Sequence, residues 1–149
     1  MRTIPLMALL LPSLALISGP ASAQGSEGLP RTAAPAGAEV YFLSPADGAS
    51  VASPVMVRFG LRGMGVAPAG IEAPNTGHHH LLINVDEAPA DDLPLPATDQ
   101  VRHFGLGQTE TELALEPGVY RLQLVLGDAR HVPHDPPVRS ATITITVTD

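Results

Sequence analysis

Cysteine, lysine and tryptophan are all missing from this chain of 149 residues, and aromatic residues make up only 3% of it. Without cysteine, neither a disulfide framework nor a thiolate metal site can form. Every basic side chain is an arginine, and the formal net charge is −7. An acidic chain repels a phosphate backbone and attracts cations, so we expect no nucleic-acid partner.

The N-terminal residues have the pattern of an export signal. Residues 1–23 combine an early arginine, an apolar run and the small residues Ala21-Ser22-Ala23, which predicts a signal peptide cleaved before Gln24. The apolar run falls short of the ~20 residues of a comfortable membrane span. We therefore expect a periplasmic or secreted protein with no membrane insertion after cleavage. Residues 24–38 are rich in Gly, Ala, Ser and Pro, which is typical of a disordered leader.

Residues 39–149 have the pattern of a β domain. Sixteen prolines and fourteen glycines indicate many turns, and no segment has a helical period. Residues 51–61 are expected to form one strand, and threonines alternate with β-branched apolar residues in residues 140–148. The pattern predicts an all-β fold, an antiparallel immunoglobulin-like β-sandwich of about seven strands. The expected core residues include Leu81, Ile83, Leu122, Leu124, Ile143 and Ile145.

Three consecutive histidines, His78, His79 and His80, begin a strongly β-forming run, Leu-Leu-Ile-Asn-Val. Because successive side chains in a strand alternate, His79 is expected on the core face with Leu81 and Ile83. His78 and His80 should then project together, away from the core.

Four ordered blocks of the sequence carry a family resemblance. They read GHHHLLI from Gly77, HFGLGQTE from His103, LEPGVYRLQLVLGD from Leu115 and HVPHDPPVRS from His131. With their spacing, they resemble the bacterial exported family catalogued as domain of unknown function 4399. The resemblance implies an exported β domain and directs attention to the histidine-bearing blocks, but it implies no particular ligand.

The histidines are the candidate site. Loops distant in sequence gather at the ends of a β-sandwich, so histidines far apart in the chain can converge there. Imidazoles without thiolates suit Cu(II) or Zn(II), and the export signal favours copper over zinc. Met64 is the one methionine placed in a loop that can add a thioether. The predicted ligands are His78, His80, His103, His131 and His134, with Gln108, Glu110 and Asp128 as hydrogen-bonding partners of the imidazoles.

An alternative interpretation stays open beside the metal site. Histidines near strand ends often hydrogen-bond to loop backbones, so these could be structural clamps in a non-catalytic envelope module for binding or assembly. The partner would then be an envelope protein or a glycan. No nucleophile elbow, phosphate-binding loop or paired-carboxylate motif is present, and the sequence therefore predicts no enzymatic activity.

Overall fold

A computed structural model describes residues 29–149 of the chain. The predicted signal peptide and the start of the leader lie outside these residues. The described part contains strands and no helix, so no helix within it is long and apolar enough to cross a membrane. The nine strands are β1 (Glu39–Ser44), β2 (Ser50–Ala52), β3 (Val55–Arg62), β4 (Gly65–Val66), β5 (Thr76–Ile83), β6 (Val101–His103), β7 (Glu110–Leu113), β8 (Gly118–Gly127) and β9 (Ile143–Thr148).

The strands form two sheets. One has three strands in the order β1-β3-β7, and the other follows the order β2-β9-β8-β5-β4, with β6 also paired to β5. The pairs β2–β9 and β4–β5 are parallel. The second sheet is therefore mixed, whereas the sequence predicted a purely antiparallel arrangement. The all-β prediction is confirmed; the immunoglobulin-like arrangement stays a prediction.

Residues 51–61 hold the expected alternating strand as β3, but their first residues belong to a separate short strand, β2. They divide at Ser53 and Pro54, so that β2 joins the six-stranded sheet while β3 joins the three-stranded one. Proline has no backbone N–H to donate to a sheet ladder, which explains why the chain leaves one sheet here and enters the other.

The main core is built from both sheets. Val40, Val57 and Phe59 come from the three-stranded sheet, and they pack with apolar residues of β5, β8 and β9. The predicted core residues are all buried in this cluster, which confirms the alternation read from the sequence. They are Leu81, Ile83, Leu122, Leu124, Ile143 and Ile145.

A second, smaller core lies on the outer face of the six-stranded sheet. Leu82 of β5 and Val125 of β8 pack there against Leu95 and Val101. Residues 86–100 form no strand, as expected, but they carry Leu95 across the sheet and bury it. The outer face is therefore covered around Leu82 and Val125, whereas Thr144, Thr146 and Thr148 of β9 remain exposed on it.

Residues 29–38, the part of the predicted leader that the structure describes, make backbone contacts with the rest of the domain. Leu29 donates a backbone hydrogen bond to Asp92 (2.9 Å), and Ala34 donates one to Asp135 (2.9 Å). Asp92 lies between β5 and β6, and Asp135 lies in the loop that follows β8, so two different loops satisfy backbone groups of this segment.

Candidate metal centre

Strand β5 provides two of the clustered histidines. His78 and His80 lie two residues apart, so both side chains leave the same face of the strand. In the antiparallel register of β5 with β6, His80 is directly opposite His103. Residues opposite each other across two strands share a face, and this places the His103 ring 5.2 Å from the His80 ring between centroids.

His131 completes a cluster of four imidazoles. It follows the end of β8, and its ring centroid lies 4.9 Å from that of His78 and 4.6 Å from that of His103. Each of the four residues offers a ring nitrogen, and these nitrogens all lie within 4.8 Å of one another. The tertiary structure thus brings together four of the five predicted ligands, close enough to bind a metal ion.

The cluster is buried at one end and open at the other. His78 and His80 are 0% and 1% exposed, whereas His103 is exposed and His131 is half-buried. The expectation that His78 and His80 project away from the main core is correct, but they do not reach solvent. The loops that cover the outer face of the six-stranded sheet bury them.

Burial favours the neutral form of three imidazoles of the cluster, those of His78, His80 and His103. It lowers the pKa of His78 from 6.5 to about 4, and the nearby His131 and His103 act in the same direction. It lowers the pKa of His80 to about 2, with His78, His103 and His131 adding to the effect. Burial also lowers the pKa of His103, again with a contribution from His131. Neutral imidazole has a free lone pair, which is the form that ligates a metal.

Several buried nitrogens of the cluster have no hydrogen-bond partner among the described residues. They are Nδ1 of His78 and both ring nitrogens of His80. A buried polar atom without a partner costs free energy, and such atoms are rare in folded proteins. Coordination of an ion would supply the missing partner for a lone pair of His80.

Two glycines leave room for the rings. A Cβ atom on Gly127 would lie 2.7 Å from Cε1 and 3.1 Å from Nδ1 of His80, and a Cβ on Gly105 would collide with the ring of His103. Glycine at positions 105 and 107 permits a close backbone approach or a positive φ. The structure confirms a close approach at Gly105 and a φ of 84° at Gly107. The role of Gly127 had no signal in the sequence beyond its position at a strand end.

The backbone of His131 is held in an uncommon conformation. Its φ is 67°, in the left-handed region that few residues other than glycine adopt. Its N–H donates to the carbonyl of Asp128, and its carbonyl accepts from Leu95, each at 2.9 Å. Such strain persists only where surrounding contacts impose it, and it occurs frequently at functional sites.

Asp128 shapes this loop rather than bonding to an imidazole. Its Oδ1 accepts hydrogen bonds from the backbone N–H groups of Arg130 (2.9 Å) and Val132 (3.0 Å), one on each side of His131. Its Oδ2 accepts from the Thr32 hydroxyl at 2.8 Å. Burial acts to raise the pKa of Asp128, but these hydrogen bonds and the charge of Arg130 outweigh it and lower the pKa.

His134 does not join the cluster, contrary to the prediction. Its Nδ1 lies 3.4 Å from the carbonyl oxygen of Leu126, and its Nε2 lies 3.2 Å from that of Thr76. The ring is fully buried between these two carbonyls. For this residue, the arrangement is that of a loop clamp, because both ring nitrogens face backbone carbonyls and neither faces the other imidazoles.

The side chains of Gln108 and Glu110 form no hydrogen bond to the four clustered imidazoles within residues 29–149, although the backbone of Gln108 lies close enough to His79 to oppose the fall in its pKa. Gln108 accepts from the backbone N–H of Leu106 (2.9 Å), which closes the turn after His103. Glu110 lies on β7 of the other sheet and pairs with Arg58 at 3.0 Å. Both are near His103 in sequence, but the chain crosses from one sheet to the other between residues 103 and 110.

His79 lies in the main core, as its place in the alternation predicts. It is 0% exposed, and its ring centroid is 5.1 Å from that of Phe59. Neither ring nitrogen has a hydrogen-bond partner in the described part of the chain. Burial lowers its pKa to about 4, so the ring is neutral at pH 7.

The model of one protein family, described as "Domain of unknown function (DUF4399)", matches residues 57–148. The chain belongs to this family. The matched DUF4399 segment contains all six histidines, Gly105, Gly127 and Asp128, and it leaves out residues 29–56. No curated protein and no solved structure matches the chain.

Proposed function

We propose that this DUF4399 domain binds one divalent metal ion through His78, His80, His103 and His131, with copper favoured over zinc. The observation that carries the proposal is the convergence of four ring nitrogens within 4.8 Å of one another, from three segments distant in sequence. The predicted signal peptide supports a periplasmic or secreted location for the domain.

The spacing suits one ion. Two nitrogens that each lie about 2.0–2.1 Å from a metal can be no more than about 4.2 Å apart. Ring nitrogens at the 4.8 Å limit of the cluster would therefore have to approach each other by about 0.6 Å. His103 is exposed and His131 is half-buried, so these are the rings that we expect to move.

The donor set favours a divalent, borderline metal. Four imidazoles without thiolate suit Cu(II) or Zn(II), and Cu(II) binds such nitrogen sites more tightly in the general order of divalent metals. Cu(I) would gain from a thioether. Met64, the loop methionine, packs against the main core.

The second candidate is a non-catalytic envelope module, with an immunoglobulin-like sandwich that binds a protein or glycan and histidines that hold its loops. The arrangement of His134 favours this role for that one residue. Under this alternative, the four clustered rings would contribute packing alone, and their replacement would change stability without changing any metal uptake. The lack of a catalytic motif fits both candidates, and we propose no enzymatic activity.

Elemental analysis of the tag-free protein purified from the envelope, followed by calorimetric titration with Cu(II) and Zn(II), tests the proposal. We expect one ion per chain at pH 7.5 and a lower dissociation constant for Cu(II). An absence of tight, stoichiometric uptake of both ions would end the metal proposal and leave the envelope module. Tighter binding of Zn(II) would overturn only the order of the metals.

A further inference from the structure

The segment that precedes β1 lies against the loop that carries His131. We call residues 29–35 the N-terminal strap. Ala33 and Asp135 form a parallel β-bridge, Asp135 donates a backbone hydrogen bond to Thr32 (2.9 Å), and Ala34 donates one to Asp135 (2.9 Å). The strap is therefore paired with the end of the histidine loop.

Arg31 ties the strap to the same loop through its side chain. The guanidinium donates to the carbonyl of Pro133 (Nε, 3.3 Å) and to the carbonyl of His134, and Nη1 lies 3.3 Å from the carboxylate of Asp135. The guanidinium of Arg31 thus contacts three successive residues of the loop, Pro133, His134 and Asp135. Arginine suits this role because its donors have a fixed geometry.

Thr32 binds Asp128, which precedes His131 in the same loop. Its hydroxyl donates to Oδ2 of Asp128, while Oδ1 of that carboxylate accepts from the N–H groups of Arg130 and Val132. The hydroxyl thus fixes the carboxylate that brackets His131, whose φ of 67° needs such support.

We propose that the N-terminal strap positions His131 in the metal site, with Arg31 and Thr32 as positioning residues that touch no ion. The consequence for metal affinity rests on the proposed function; the placement of His131 does not. Because the family match begins at residue 57, the strap is a feature of this chain outside the matched segment.

A purely structural strap would stabilise the fold without affecting the geometry of the imidazoles. The variant that separates the two roles is Arg31→Ala combined with Thr32→Val in the full chain. Its matched control is Arg58→Ala combined with Ser53→Ala. That control removes an arginine–carboxylate pair with Glu110 (3.0 Å) and a hydroxyl that accepts from Leu115 N–H (3.1 Å), and it leaves the loop intact. Thr32→Ser keeps the hydroxyl and should behave as the parent.

Two measurements on the metal-free protein report the position of His131. Amide hydrogen exchange follows Arg130 and Val132, and nitrogen NMR of the imidazoles follows the 3.0 Å contact between His78 and His131. In the strap variant we expect faster exchange at both amides and loss of the His78–His131 signature. In the control and in Thr32→Ser, both should remain as in the parent.

Titration with Cu(II) and with Zn(II) completes the test. We expect the strap variant to bind about 10- to 100-fold more weakly than the control, which is the usual effect of removing groups that orient metal ligands. Unchanged exchange and an unchanged imidazole contact would overturn the positioning role. Unchanged affinity in a loosened loop would overturn its consequence for the metal. If the parent binds neither ion, the proposed function fails, and the exchange and NMR results still decide the role of the strap.

Discussion

Nε2 of His78 lies 3.0 Å from Nδ1 of His131, although the two residues are 53 positions apart in the chain. One nitrogen donates and the other accepts, so at least one of the two rings carries a lone pair toward the interior of the cluster. A positive charge on either ring would repel a charge on the other. With burial as the larger cause, this repulsion lowers the pKa of His78 to about 4.

The metal-free protein should lose stability as the pH falls from 6.5 toward 4. The pKa values of His78 and His79 in the folded state are about 4, below the ordinary value of 6.5. The unfolded chain therefore binds more protons than the folded chain in this window, and the free energy of unfolding rises with pH. The stabilisation is complete above pH 6.5 and is lost as the pH approaches 4.

Urea unfolding at several pH values between 7.5 and 4.5 measures this slope. Each group that remains neutral only in the folded state contributes about 1.4 kcal/mol per pH unit. His79→Leu removes one such group and should show a smaller slope than the parent. A free energy of unfolding that is flat over this range would contradict the prediction.

Gly127→Ala should damage both the fold and the metal site. The new Cβ would lie 2.7 Å from Cε1 of the fully buried His80 ring, which has no space to move away. We expect a loss of about 1–3 kcal/mol in the free energy of unfolding and metal affinity at least about tenfold weaker. Thermal unfolding and calorimetric titration measure the two effects.

Gly118→Ala is the matched control on the same strand. Its Cβ would meet Tyr120 at 3.6 Å, an ordinary contact, so stability should stay within about 0.5 kcal/mol of the parent. Equal effects of the two substitutions would show that the loss at Gly127 reflects the strand and not the ring of His80.

His103→Ala and His134→Ala should have opposite consequences. His103 belongs to the cluster, so its loss should weaken metal binding by at least about tenfold. Because its side chain is exposed, the free energy of unfolding should change little. His134 is buried between two carbonyls, and its loss should cost about 2 kcal/mol or more.

Titration and denaturant unfolding of both variants check this pair of predictions. Metal binding by the His134 variant should match that of the parent wherever the variant is folded. A weaker affinity in the His134 variant alone would mean that the ligand set has been assigned wrongly.

His79→Leu should stabilise the domain by about 1 kcal/mol. The ring lies in the main core beside Phe59, and neither nitrogen has a partner within the described residues. An apolar side chain of similar size removes the unsatisfied polar atoms and keeps the packing. Denaturant unfolding at pH 7.5 gives the change, and metal affinity should stay at the parent's value. A loss of stability would show that His79 makes a polar contact in solution.

The alternation of apolar and polar residues in the sequence was enough to predict much of the core and the faces of the histidine strand. The period-2 alternation placed Leu81, Leu122 and Ile145 in the core, because side-chain direction in a strand depends only on the residue's own position. The same rule put His78 and His80 on one face and His79 on the other. The four sequence blocks sufficed for the family, which the match to residues 57–148 confirms.

Tertiary structure decided the rest of the site. His131 and His134 lie in one loop and look equivalent in the sequence, yet only His131 joins the cluster, because its left-handed backbone turns the ring back toward β5. Burial of His78 and His80 depends on a covering loop, and support of His131 depends on a strap about 100 residues earlier. Contacts of this kind leave no periodic trace in a sequence, since they are set by how loops close over a sheet and not by the conformation of any one segment.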